Sequence, residues 1–229
     1  MTPAIECRGL SFGYDARRPL LRKISFVVEE GERVALVGAN GAGKSTLLWC
    51  LLGLHRCSGL VRLFGLAPAA AREKLGVVFQ NPEDQLFMPA ILEDVALPLV
   101  NRGLPRREAL ERARQALAAM GLEDQAQWPA RRLSLGQRKR AAIAAALVVR
   151  PQLLIMDEPT AELDGRSVRQ LRSALDSLKI TLLIAGHHID FLAQTATRAM
   201  VLEEGRLAAD GPARELLSDT GLLERAGLR

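Results

Sequence analysis

GANGAGKST, residues 38–46, sets glycines at 38, 41 and 43 ahead of Lys44, Ser45 and Thr46. It follows ERVALVG, residues 32–38, whose apolar run without polar alternation predicts a strand buried on both faces. Residues 44–54 then carry the spacing of a helix. Strand, glycine turn and helix form the context in which G-x-x-x-x-G-K-[ST] binds phosphate. Gly38, Gly41 and Gly43 let the backbone approach until successive N–H groups point at one anion, with Asn40 among the residues that bind it. Lys44 meets the β and γ phosphates, and Ser45 and Thr46 close the motif, Ser45 giving its hydroxyl to Mg²⁺. The helix N-terminus adds favourable partial charge. The stretch implies a nucleotide-binding protein.

Downstream, PQLLIMDEP (residues 151–159) repeats the buried-strand pattern and ends in two adjacent carboxylates. A phosphate-loop protein needs an acidic group at such a strand end to hold Mg²⁺, and Asp157 fits that place. Glu158, one residue on, stands where a carboxylate orients or deprotonates the attacking water. An acidic pair at a strand end is also common solvated surface; the loop upstream turns the reading toward chemistry. A helix over residues 167–178, a strand over 180–185 and a hairpin over 201–211 follow, and strands at 5–10 and 24–28 precede the loop. Between residues 84 and 147 the pattern is helical, in ILEDVALPLV, REALERARQALAAMGL and GQRKRAAIAAALVV. Alternating strands and helices predict an α/β fold with a mostly parallel sheet. Residues 1–229 read as one domain, with approximately 84–147 as an inserted helical subdomain.

Bulk properties narrow the function classes. A chain of 229 residues, 48% of them hydrophobic, buries one sizeable core. The net charge of +5 comes from arginines scattered singly or in pairs (Arg17-Arg18, Arg106-Arg107, Arg131-Arg132), so no nucleic-acid footprint is expected. Apolar runs at residues 47–54 and 141–149 fall short of the roughly 18 needed to span a bilayer. The N-terminus lacks the basic and apolar segments of a secretory signal. Cys7, Cys50 and Cys57, without a C-x-x-C pair, suit a reducing compartment, with the cytosol as default. Cys50, His55 and Cys57 have a spacing that suits a soft metal. They want a fourth ligand, however, and Cys50 reads better as a packed thiol in an apolar helix.

LSLGQ, residues 133–137, adds a second anion site. Ser134-x-x-Gln137 is a capping box opening a helix over residues 136–149. With these residues the chain resembles the ATP-binding-cassette ATPases over approximately residues 4–212. In that family a signature like LSLGQRKR, here Ser134, Gly136 and Gln137, faces the nucleotide held by the phosphate loop of a second copy. The resemblance implies ATP and Mg²⁺ as ligands, an antiparallel N-terminal β part, and a head-to-tail dimer with an identical copy or a paralogue. It also implies roles for four further residues. Tyr14 would stack on adenine, Gln80 would touch Mg²⁺ and water, Asp164 would lie in the loop crossing the dimer interface, and His187 would contact the γ-phosphate. Leu135 replaces a small residue of the family's signature, which crowds the partner's nucleotide. His188 takes a place commonly held by Asp.

QNPEDQLF, residues 80–87, breaks regular structure at Asn81-Pro82, keeps Glu83 and Asp84 in water and offers Leu86-Phe87 as an apolar tip. In the family this segment leads into the helical subdomain that receives a cytoplasmic helix of a transmembrane subunit. Its wording resembles the ATPase subunits of energy-coupling-factor importers for cobalt, nickel or vitamins. The implied place is the cytoplasmic face of the membrane. The alternatives are the ATPase of a conventional importer or exporter, and a soluble cassette ATPase acting on nucleic acid or ribosomes. Residues 44–134 hold no long coiled coil and the chain has one cassette, which disfavours the last.

Overall fold

The computed structural model describes residues 2–15 and 18–228; Arg17, of the first arginine pair, lies outside the described residues. The chain forms two compact units, Met1–Arg72 with Lys179–Arg229, and Glu73–Leu178. The first unit opens with β1 (Ile5–Phe12), β2 (Leu21–Val28), β3 (Arg33–Val37), α1 (Lys44–Leu51) and β4 (Ser58–Leu63). The second holds β5 (Leu75–Val78), α2 (Ile91–Asn101), α3 (Arg106–Ala119), α4 (Leu135–Leu147), β6 (Leu153–Asp157) and α5 (Gly165–Asp176). The chain returns to the first unit through β7 (Thr181–Ala185), α6 (Ile189–Thr195), β8 (Arg198–Glu203), β9 (Arg206–Pro212), α7 (Ala213–Leu216) and α8 (Thr220–Arg225).

In the first unit β1 pairs antiparallel with both β2 and β4, bringing Ile5 opposite Val28 and Leu63. This is the antiparallel N-terminal sheet. β3 pairs in parallel with β7 on one side and β8 on the other, and β9 closes that edge antiparallel to β8. Val34, Ala35, Leu36 and Val37 are wholly buried, as an apolar run flanked on both sides requires. Each such Val or Leu contributes about 1.5–3 kcal/mol. The β8–β9 turn passes through Gly205 at φ 75°, where an added Cβ would lie 1.8 Å from the Leu20 carbonyl oxygen. Only glycine fits there.

The second unit pairs β5 with β6 in parallel, Leu75 opposite Leu153 and Val78 opposite Met156. Its helices share a core of Leu86, Ile91, Val95, Leu99, Ala109, Ala113, Leu117, Ala141 and Ala144. The alanines of α4 are small enough for its backbone to lie close against α2 and α3. The mixed sheet with parallel strands agrees with the sequence reading, but several local expectations change. The helix expected over residues 44–54 ends at Leu51, and the one expected over 136–149 runs Leu135–Leu147. Of the expected apolar tip, only Phe87 faces outward; Leu86 turns into the helical core at 6% exposure.

Candidate functional site

The loop between β3 and α1 has the local backbone geometry that a phosphate cradle needs. Gly41 and Gly43 adopt φ 82° and 103°, left-handed values that favour glycine. Gly43 precedes α1 and brings no side chain to cap it, so the first-turn N–H groups face the loop's concave side without a competing side-chain acceptor. Lys44 is buried at 6% exposure, and its Nζ donates to the carbonyls of Gly38 at 2.7 Å and Ala39 at 3.2 Å. The ammonium is thereby held over the loop. Tyr14, 66% exposed, has its hydroxyl 3.5 Å from Thr46 Oγ1 and 3.3 Å from His55 Nε2. The structure thus brings Tyr14 to the last residue of the motif. His55 stacks on Phe12 with ring centroids 4.8 Å apart, so its imidazole belongs to an aromatic cluster. Burial pushes the Cys50 thiol up to about 12, with Cys57 adding to the rise. Among the described residues, no group of three or more His, Cys, Asp or Glu side chains is arranged to hold a metal ion.

In the second unit, Asp157 ends β6 at 2% exposure and Glu158 follows at 5%. Glu158 has φ 47°, unusual for a non-glycine residue. Lys139, on α4 and 4% exposed, donates from Nζ to the Glu158 carbonyl at 3.0 Å. Burial lowers its pKa, while Glu162, Glu158 and Asp157 oppose that drop. The capping box is formed in full. Gln137 N–H donates to Ser134 Oγ at 3.3 Å, and Ser134 N–H donates to Gln137 Oε1 at 2.8 Å. Ser134 stays exposed, while Leu135 and Gly136 follow in the first turn of α4. Asp164 caps α5 by accepting from Ser167 N–H at 2.7 Å, and that bond holds its carboxyl below the usual range. Gln80 is exposed beyond the end of β5. After Asn81, which accepts from Glu83 N–H, a 3-10 turn runs over Pro82–Asp84. Glu83 pairs with Arg138 of α4.

A family model described as ABC transporter matches residues 21–161. The chain belongs to the ABC transporter family. It is 40% identical to the energy-coupling factor transporter ATP-binding protein EcfA of Methanothermobacter thermautotrophicus, over 98% of this chain and 76% of that one. Other relatives are named only as ABC transporter ATP-binding proteins. Among solved structures, CbiO1 of Clostridium perfringens, part of the ABC transporter complex CbiONQ, superposes with a TM-score of 0.82 at 33% identity, covering 100% of this chain and 96% of that chain. A dimeric ATP-binding cassette in a post-hydrolysis state with ADP and Pi bound superposes at 0.83 and 26% identity, covering 92% of this chain and 99% of that chain. The protein is an ATP-hydrolysing subunit of an ABC transporter.

In this ABC ATPase, the two adjacent histidines separate by position. His188 Nδ1 accepts from Phe191 N–H at 3.2 Å and so caps α6, as an Asp there would do. His187 lies exposed between Gly186 and that cap. Three braces escaped sequence reasoning. Gln85 accepts from Phe79 N–H at 2.9 Å and donates to the Val77 carbonyl at 2.8 Å, fixing the chain on either side of Gln80. Asp94 Oδ1 accepts from the N–H groups of Phe87 and Met88, each at 2.9 Å. Lys139 is the third. Gln85 and Lys139 are long polar side chains in polar or charged runs, and Asp94 is an acidic residue in the first turn of a helix, a place acids commonly take in solvent; none of these patterns marks burial.

Proposed function

We propose that this chain is the ATPase of an energy-coupling-factor type importer, working as a head-to-tail dimer of cassettes with an identical copy or a paralogue. The observation that carries the dimer is the exposed start of α4, where the capping box fixes Ser134 in solvent and leaves the N–H groups of Leu135 and Gly136 uncapped, in a chain that already has one phosphate loop. The likeness to EcfA and to CbiO1 across nearly the whole chain supports the importer type. Cobalt, nickel and vitamins are the cargo classes that go with it. Residues 1–229 read as a single ATP-binding domain whose helical subdomain spans approximately 84–147.

The backbone of Gly38, Asn40, Gly41 and Gly43 holds the triphosphate, with Lys44 neutralising the β and γ groups. Thr46 sits at the helix start, and Tyr14 offers its exposed face to adenine. Ser45, Gln80 and Asp157 supply oxygen donors of the hard kind that Mg²⁺ prefers, which is the fit expected for that ion. When bound, Mg²⁺ screens the phosphate charge. Glu158 takes a proton from water as the water oxygen attacks the γ-phosphorus, and the bond to ADP breaks. His187 steadies the γ-phosphate. Ser134, Gly136 and Gln137 close on the ATP of the partner copy, and Asp164 lies in the loop that meets it. Transmembrane subunits dock near Gln80 and Phe87, where the Glu83–Arg138 pair ties the loop to α4. No nucleic acid takes part, and the working place is the cytoplasmic membrane face.

Light scattering of Glu158→Gln tests the reading. The variant should bind ATP, lose turnover by about 10²- to 10⁴-fold and accumulate as an ATP-bound dimer. Adding Ser134→Ala should prevent the dimer. Turnover near wild type in Glu158→Gln removes Glu158 from the base role.

A further inference from the structure

Glu158 carries an unexplained backbone burden. Its φ of 47° and that of Glu162, 62°, place two glutamates in the left-handed region within five residues. Left-handed glutamate persists only when surrounding groups over-determine it. Part of what holds it is visible. The Glu158 carbonyl accepts from Ala161 N–H at 3.2 Å, closing a turn, and Leu163 N–H donates to the Thr160 carbonyl at 3.1 Å in the next. Lys139 Nζ lies on the same Glu158 carbonyl at 3.0 Å, with Glu162, Glu158 and Asp157 as its charged surroundings. Its neighbours on α4 point elsewhere, Arg138 to Glu83 and Arg140 to Ser167 and Gln170.

An ammonium 4% exposed is costly unless it is paired, and here it is spent on a main-chain oxygen. A charge-assisted bond to that oxygen fixes the Glu158–Pro159 peptide, and with it the direction in which the Glu158 side chain leaves the backbone. Lys139 also shares a helix with Ser134, the two separated by about 7.5 Å of helix rise. A rigid helix that moves at its signature end therefore moves the cation that holds Glu158.

We propose that Lys139 is a positioning residue for hydrolysis, which sets the Glu158 carboxylate through its carbonyl and links that carboxylate to the signature end of α4. The inference rests on the reading of Glu158 as the base and adds to it the means by which closure on the partner's ATP is felt at the hydrolytic group.

The test uses Lys139→Met, Lys139→Arg, Glu158→Gln and the double variant Lys139→Met/Glu158→Gln. All are made in the full chain within the complex that co-purifies with it. Lys139→Met should lower kcat by about 10²-fold, the scale of a 1 Å misplacement, with ATP affinity changed less than about twofold. Lys139→Arg should restore most of the loss, since a guanidinium also donates to a carbonyl. The double variant should be no slower than Glu158→Gln alone, because a residue acting through Glu158 has nothing left to position. Amide exchange at Ala161 should quicken in Lys139→Met while that of Gln137 stays protected. Wild-type kcat in Lys139→Met, a loss that Arg does not rescue, or a double variant slowed by the product of both effects each overturns the proposal. Should Lys139→Met fail to fold, the Arg variant decides by its kcat, which must stay near wild type. If Glu158→Gln itself turns over normally, the base reading falls and this inference with it; if Glu158→Gln is inactive while Lys139→Met is not, this inference falls alone.

Discussion

At the scale of single residues, the clearest expectation concerns Lys44. Its ammonium is buried and aimed over the loop by two carbonyls, so little ordering remains when phosphate arrives. Charge-assisted hydrogen bonds are worth about 1.5–3 kcal/mol, so Lys44→Ala should weaken ATP binding by about 10- to 10²-fold in calorimetric titration. Unchanged affinity would refute the phosphate assignment. Leu135 gives the opposite kind of prediction. It stands in the first turn of α4, where the resemblance implies a small residue, and in the proposed dimer its bulk would crowd the partner's nucleotide. Leu135→Gly should raise steady-state ATP turnover about threefold, a gain of under 1 kcal/mol in transition-state binding. Unaltered activity rejects the crowding argument. The conformation of the loop was legible because glycines at that spacing lead from a buried strand into a helix, and the same spacing, with a lysine and a hydroxyl following, is what the phosphate reading rests on. Lys139 was not legible, since QRKR has the composition of a solvated helix face. Only the packing of α4 beside the turn after β6 buries it.

Elements were legible in proportion to their length and periodicity. β3 and β6 read correctly because a strand buried on both faces is apolar throughout. β4, SGLVRL, is largely exposed and offers no such run, and β5 has four residues, too few for a period to show. The short helices α6, α7 and α8 escaped for the same reason. The start of α2 shows how a tertiary contact overrides local composition. Asp94 sits in its first turn at 3% exposure, holding the N–H groups of Phe87 and Met88. Burial raises its pKa from the usual 3.8; those two donors pull it down, and Glu93 adds to the rise. A carboxyl whose folded pKa lies above its unfolded value contributes stability at low pH and loses it as pH rises through the folded value. Asp94→Asn keeps an oxygen for both donors and removes the charge. The variant should therefore be more stable than wild type at pH 8 in urea unfolding, and the difference should close as the pH falls toward 4. A difference that widens toward acid would contradict the burial of this charge as the cause.

For the whole molecule, the question is which chains it drives. Among the described residues no helix is long and apolar enough to cross a membrane, and the proposed importer reading assigns the transport pathway to other subunits. The surface proposed for membrane subunits is specific. Phe87 is 67% exposed at the end of a loop whose backbone is fixed by Asp94, and whose Glu83 is paired to the signature helix. An apolar tip on a braced loop loses little conformational entropy on docking and gains the burial of an aromatic ring. Glu158→Gln should hold the ATP-bound state, in which such contacts last longest. Tagged in its native cell and solubilised gently with ATP present, the variant should carry with it a transmembrane coupling subunit and a small substrate-binding membrane protein, both identified by mass spectrometry. Phe87→Ser in the same background should reduce their recovery at least about tenfold while leaving the ATP-bound dimer intact, since the loop tip takes no part in holding nucleotide. Recovery of conventional permease subunits instead would retain the ATPase and reject the importer type. Recovery of ribosomal or DNA-bound partners would reject the membrane assignment altogether. If the membrane subunits stay bound to the Phe87→Ser variant, the docking site lies elsewhere on the helical unit, and the Glu83–Arg138 pair is only a surface ion pair.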